Sequence, residues 1–153
     1  EHPGLDRADT ELLLRTRSQI REVLRDFQTV STNFGMIHAD LDPANVLVQD
    51  GRVTLIDFDD AGYGWHLYEL ATAVFAEIEK PSFPDICQAL VAGYRDIRAL
   101  SERDLTLLPM FLLIRGMALI GWISERPEID NTNLFREVNE WTLASCASFK
   151  SPM

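Results

Sequence analysis

The residues best suited to chemistry fall in two short runs, His38-Ala39-Asp40-Leu41-Asp42-Pro43-Ala44-Asn45 and Asp57-Phe58-Asp59-Asp60. Between them, Val46-Leu47-Val48 and Val53-Thr54-Leu55-Ile56 flank the dipeptide Asp50-Gly51. An Asp-Gly pair between two β-branched runs predicts a tight hairpin. A hairpin folds back on itself, so Asn45 and Asp57, twelve positions apart, are expected side by side at its open end. Five aspartates then flank it, Asp40, Asp42, Asp57, Asp59 and Asp60. Crowded carboxylates repel one another unless a positive charge sits among them. A divalent cation meets that need. Magnesium takes oxygen ligands, usually one or two carboxylates completed by water and substrate phosphates. Asn45 offers a neutral carbonyl oxygen and Asp57 an anionic one. Asp40, five residues before Asn45 on a loop, is placed to face an incoming hydroxyl. Phosphoryl transfer requires such a set, with metal to neutralise developing charge and a carboxylate to orient or deprotonate the acceptor.

His38-x-Asp40-x4-Asn45, followed by a hairpin and Asp57-Phe58-Asp59, resembles the catalytic and metal loops of the protein-kinase-like superfamily. Within it, the sequence is most similar to the aminoglycoside phosphotransferase branch, which includes choline, homoserine and hydroxylysine kinases. The small Ala39 after the histidine and the closing Asp59, in place of the Arg and Gly of protein kinases, favour that branch. So does Glu69-Leu70-Ala71 downstream, although Asp is commoner at the Glu69 position. The resemblance implies Asp40 as catalytic base, His38 as a brace for the catalytic loop, and Asn45 and Asp57 as magnesium ligands that also hold ATP. It implies that Glu69 ties the next helix to that loop. Asp59 is a further candidate metal ligand, a solvated loop carboxylate being the equal alternative. Asp42 stands where the branch often has His, and neither it nor Asp60 is assigned a role. An EF-hand reading from Asp57 fails, because its fifth position is Ala61 and its twelfth Tyr68.

The elements that must position these residues are mostly helical. Leu12, Leu13, Ile20, Val23, Leu24 and Phe27 recur at helical spacing, predicting a helix over residues 9–30 with Asp9 or Thr10 as N-cap. Residues 31–35 read as a loop. Gly62-x-Gly64 reads as a turn, without the strand-turn-helix setting of a dinucleotide fingerprint. Further helices are expected over 65–79, 83–100, 102–124 and 133–149, broken at Pro81 and Pro84, Ser101, and 127–132. The fold class is therefore α+β, mainly helical, as one domain with one small β-hairpin. Through the resemblance, it is the C-terminal lobe of a kinase-like fold.

Composition excludes other classes. The 153 residues are 46% hydrophobic and 25% charged, typical of one soluble globular domain and too apolar for disorder. Fourteen basic against 24 acidic side chains leave a net charge of −10, which opposes nucleic acid and anionic membrane surfaces. Cys87 and Cys146 lack the paired spacing of a zinc or redox motif and read as packed thiols of a reducing, cytoplasmic compartment. The apolar stretch from Leu105 to Ile123 is interrupted by Pro109 and Arg115, and a central Arg costs about 2.5–3.5 kcal/mol in a bilayer, so a buried helix is expected. No signal peptide is recognisable, and the chain starts with Glu1 rather than Met, as a fragment or processed product would.

Twelve of the basic residues are Arg, and the two lysines, Lys80 and Lys150, sit on no predicted strand. The Gly-rich cover and strand lysine with which a kinase-like N-terminal lobe grips ATP are thus expected outside this chain. A lobe without its partner exposes apolar surface, through which the chain is expected to form a homodimer or bind a partner. The alternative function is accordingly a non-catalytic ligand-binding or dimerisation module. The substrate would be a small molecule bearing a hydroxyl. Glu125, Glu128, Asp130, Glu137 and Glu140 could face a cationic one, a solvated acidic face being the plainer reading. Trp122 and Trp141 could line its pocket, or occupy core positions.

Overall fold

The computed structural model describes residues 4–27, 30, 32–126, 128 and 132–151. Its order is α1 (Arg7–Asp26), β1 (Phe34–Ile37), a single 3-10 turn (Pro43–Asn45), β2 (Val46–Gln49), β3 (Arg52–Leu55), β4 (Gly62–Trp65), α2 (His66–Phe75), α3 (Phe83–Ile97), α4 (Glu102–Leu105), α5 (Leu108–Ser124) and α6 (Thr132–Ser148). The protein is mainly helical, as expected from its sequence. It divides into two compact units, one comprising α1, α6 and α5 from Leu113 onward, the other running through β1 to Leu112.

In the first unit, α1 starts earlier than its apolar spacing predicts. Asp6, not Asp9 or Thr10, is the N-cap: its carboxylate accepts from the Asp9 amide at 2.8 Å while the Asp9 side chain accepts from the Asp6 amide. This reciprocal box satisfies two of the amides that a helix start leaves without partners, so it sets the boundary. Thr16 and Ile20 are the buried residues of α1, which packs on α6. There Phe135, Val138, Thr142 and Cys146 recur every three or four residues and form the buried stripe.

The second unit carries two antiparallel ladders. One is the expected hairpin, β2 with β3, pairing Val46 with Leu55 through Gln49 with Arg52. Its turn places Asp50 at φ 49° and Gly51 at φ 74°, and two consecutive left-handed residues give the twist that suits a two-residue hairpin.

The other ladder corrects the expectation of a loop at Phe34-Gly35 and a turn at Gly62-x-Gly64. These residues form β1 and β4, with Gly35 opposite Gly64 and Phe34 opposite Trp65. The glycines serve close approach here: a Cβ on Gly64 would run into the Ile37 side chain, and one on Gly35 would lie 2.9 Å from His66 Nε2. The Phe34 and Trp65 rings meet edge-on at 5.5 Å.

Strand β4 leads directly into α2, where Leu67, Leu70, Ala71, Val74 and Phe75 are all buried. This helix stops at Phe75 rather than residue 79, and the expected helix over 102–124 is broken at Thr106 and Leu107 into α4 and α5. The run Glu102–Ser124 has the length and apolar content of a membrane span. Leu108, Met110, Phe111, Leu112, Leu113, Ile120 and Ile123 are nevertheless buried within the protein, the environment of a core helix. The expected break over 127–132 lies largely outside the described residues.

Candidate functional site

Local hydrogen bonds shape the loop from His38 to Asn45. Asp42 caps the 3-10 turn: its side chain accepts from the Ala44 amide at 2.9 Å, and its carbonyl accepts from the Asn45 amide at 2.8 Å. Proline at the first turn position lacks only an amide that would be unsatisfied there anyway. Asp42, given no role from the sequence, therefore has a structural one, and an Asp-Pro start was the signal for it. The turn carries Asn45 back toward Asp40, whose backbone carbonyl and Oδ2 accept from Asn45 Nδ2 at 2.9 and 3.2 Å. With the amide nitrogen so used, Oδ1 is the atom of Asn45 left to meet a cation.

The hairpin then returns the chain to the same place. The Ile56 amide donates to the Asn45 carbonyl at 3.1 Å, which sets Asp57 beside Asn45. Buried His38 reaches across to the same strand exit, its Nε2 donating to the Ile56 carbonyl at 2.8 Å and its ring lying 4.6 Å from that of Phe58. Asp57 follows with φ 63°, a left-handed conformation that Asp tolerates better than most residues. Asp57, Asp59 and Asp60 are exposed, whereas Asp40 and Asn45 are half-buried.

Helix α2 supplies the other brace. Glu69 Oε1 accepts from the His38 amide at 2.7 Å and Oε2 from the Ala39 amide at 2.9 Å. Ala39 sits at φ 66°, where a Cβ is strained by about 1–2 kcal/mol, so a charged acceptor spanning 30 residues holds an unfavourable backbone in place. Neither this conformation nor the part played by the Ile56 carbonyl leaves a sequence signal.

The structure thus brings His38, Asp40, Asn45 and Asp57 together, with Glu69 behind them. Among the described residues, no three His, Cys, Asp or Glu side chains are grouped to hold a metal. One carboxylate and one amide oxygen fit magnesium completed by water and phosphate rather than an all-protein cage. An apolar cavity of about 610 Å3, lined by Phe83, Cys87, Val91, Leu108 and Leu112 among others, lies in the same unit but includes none of these residues. The expected acidic face is exposed at Glu125, Glu128, Glu137 and Glu140, while Asp130 lies outside the described residues. Neither Trp122 nor Trp141 lines the cavity. Trp122 is exposed, with the Arg126 guanidinium 4.4 Å from its ring centroid.

The mainly helical body with its small sheet is the fold found in part of kinase-like phosphotransferases. Residues 1–104 match the phosphotransferase enzyme family, and the chain belongs to that family. It is 27% identical over 111 residues to the amicoumacin kinase of Bacillus subtilis (strain 168), covering 67% of this chain and 33% of that protein. With the homoserine kinase of Gluconobacter oxydans (strain 621H) it shares 34% identity over 124 residues, 70% of this chain and 38% of the relative. Among solved structures, a microcompartment-associated aminopropanol kinase superposes with a TM-score of 0.78 at 31% identity, covering 95% of this chain and 46% of that one. An amicoumacin kinase in complex with AMP-PNP and Ca2+ shares the fold, with a TM-score of 0.75 at 19% identity and 48% of its chain covered. The chain therefore spans about a third of the length of these curated relatives and about half that of the solved chains.

Proposed function

We propose that this chain is the C-terminal lobe of a cytoplasmic, ATP-dependent enzyme that phosphorylates a hydroxyl of a small molecule. Asp40 orients the substrate hydroxyl and takes its proton. Asn45 and Asp57 hold magnesium, Asp59 standing next to them on an exposed turn. Bound there, magnesium would neutralise the charge that develops on phosphoryl transfer. His38 and Glu69 keep the loop in register without touching substrate.

The observation that carries this reading is the amide of Asn45 bonded to Asp40 while its backbone is bonded to Ile56, which makes one residue the link between the base and the metal loop. Apolar side chains exposed on the two ladders, Val48 at 71%, Val53 at 66% and Tyr63 at 76%, support a covering N-terminal lobe that brings the Gly-rich loop and strand lysine. The names of the relatives support aminopropanol, homoserine and amicoumacin as the substrates to assay.

The test is steady-state phosphorylation of such a panel by the intact protein and its Asp40→Asn variant. Loss of a general base costs about 10²- to 10⁴-fold in kcat. Near-normal turnover by Asp40→Asn would remove Asp40 from that role.

A further inference from the structure

His66 opens α2, is 7% exposed, and takes no part in the chemistry described above. Its backbone amide donates to the Asn33 carbonyl at 2.9 Å, and its Nδ1 lies 3.2 Å from the Thr32 carbonyl. On the other side, Nη1 of Arg98, the residue capping the end of α3, stands 3.0 Å from Nε2 and 3.2 Å from Nδ1. A carbonyl only accepts, so the Thr32 contact needs the proton on Nδ1, while Arg98 Nη1 stands almost equidistant from both ring nitrogens, against the face of the ring. The imidazole also fills the space above Gly35, where an added Cβ would lie 2.9 Å from His66 Nε2 and 3.7 Å from Cε1, the close non-adjacent atoms among the described residues. Three segments meet on one ring: the entry to β1, the start of α2 and the end of α3. One helical turn further along α2 stands Glu69, which holds the amides of His38 and Ala39.

We propose that His66 is a positioning residue: its imidazole, clasped between the Thr32 carbonyl and Arg98, fixes the first turn of α2 against β1 and so sets the reach of Glu69 to the catalytic loop. Calling that loop catalytic rests on the function proposed above; the mechanical link does not. Burial chiefly, with Arg98 adding to it, holds the imidazole pKa below its ordinary 6.5, against the opposing pull of the Thr32 carbonyl and Glu69. The charged and titratable groups around it are Arg98 and Tyr94 from α3 and Glu69 from α2, and the segment Thr32–Gly35 brings none. A second proton would set a positive imidazolium against the Arg98 guanidinium and loosen the clasp, so the device works in its neutral form.

The test is amide hydrogen exchange at His38 and Ala39 in the intact protein, read beside kinetics. His66→Ala is expected to speed exchange at both amides by about tenfold or more, and to lower kcat by a similar factor with the KM for ATP unchanged. His66→Asn, which keeps an N–H near the Nδ1 position, should restore most of the protection. Gly35→Ala should speed exchange in the wild-type background and do nothing further in His66→Ala, because among the described residues its Cβ meets the imidazole. In unmutated protein, protection beyond the intrinsic rate should fall as pH drops below 6.5, and this pH dependence should vanish in His66→Asn. Unchanged exchange in His66→Ala, or equal damage by Gly35→Ala in both backgrounds, overturns the proposal. Absence of any phosphorylation by the intact wild-type protein would overturn the functional reading instead, and the exchange measurements would still decide the role of His66.

Discussion

Asn45 donates through one amide nitrogen to both the backbone carbonyl and the carboxylate of Asp40, at 2.9 and 3.2 Å. The contact orients the carboxylate and, in the same stroke, turns the amide oxygen of Asn45 away from it. The proposed metal ligand Asn45 is thus also the support of the proposed base.

Replacing it should therefore damage two functions together. In the intact protein, Asn45→Ala is expected to lower kcat by about a hundredfold or more, the cost of misplacing a reacting group by about 1 Å. Raising magnesium should restore only part of this, since metal concentration cannot replace the bond to Asp40. Full recovery at high magnesium in steady-state assays would reduce Asn45 to a ligand alone.

Glu69 holds the His38 and Ala39 amides, one on each carboxylate oxygen. Hydrogen bonds to a charged group contribute about 1.5–3 kcal/mol each, so losing both in Glu69→Ala should cost about 3–6 kcal/mol in urea unfolding. Glu69→Asp is one methylene shorter and should fall between, with one of the two amides losing its exchange protection. Wild-type protection at both amides in Glu69→Asp would show that the helix can shift to follow the shorter side chain.

Ala39 keeps its left-handed φ of 66° against its own Cβ. Ala39→Gly removes that strain of about 1–2 kcal/mol while adding about 0.5–1 kcal/mol of unfolded-state entropy, for a net gain of up to about 1.5 kcal/mol. Ala39→Val, with a β-branched side chain in the same conformation, should be destabilising. Thermal unfolding of the two variants side by side measures the difference.

Burial raises the thiol pKa of both Cys87 and Cys146 above the ordinary 9.0, with Thr16 opposing the effect slightly at Cys146. The folded state binds these protons more tightly than the unfolded chain. Their contribution to stability is therefore complete below pH 9 and is lost as pH rises through the folded values. Labelling with a thiol reagent at pH 8 should be much slower in native protein than in urea, with Cys146, at 4% exposure, the slower of the two. Equal native and denatured rates would contradict the burial. His66 runs the other way: with its folded pKa lowered, its contribution is complete above pH 6.5 and is lost as pH falls through the folded value.

Much of this was legible in the residues themselves because the determinants are local. Asp50-Gly51 between β-branched runs specifies the hairpin by turn geometry alone, and the hairpin brings Asn45 and Asp57 together whatever surrounds it. Apolar periodicity likewise marked all the long helices, although it missed the Asp6 cap and the break at Thr106 because boundaries depend on capping rather than on periodicity.

What tertiary structure decided has partners far apart in the chain. Strands β1 and β4 pair across 24 intervening residues, from Ile37 to Gly62, and their glycines looked like turn residues because nothing local says that Ile37 and His66 will fill the space above them. The same holds for Glu69 on the His38 and Ala39 amides, and for Arg98 against His66. Sequence determines which groups can accept, donate or take a positive φ. Only the packed fold determines which distant group meets them, because the free energy of those contacts exists only after the intervening chain has paired and been buried.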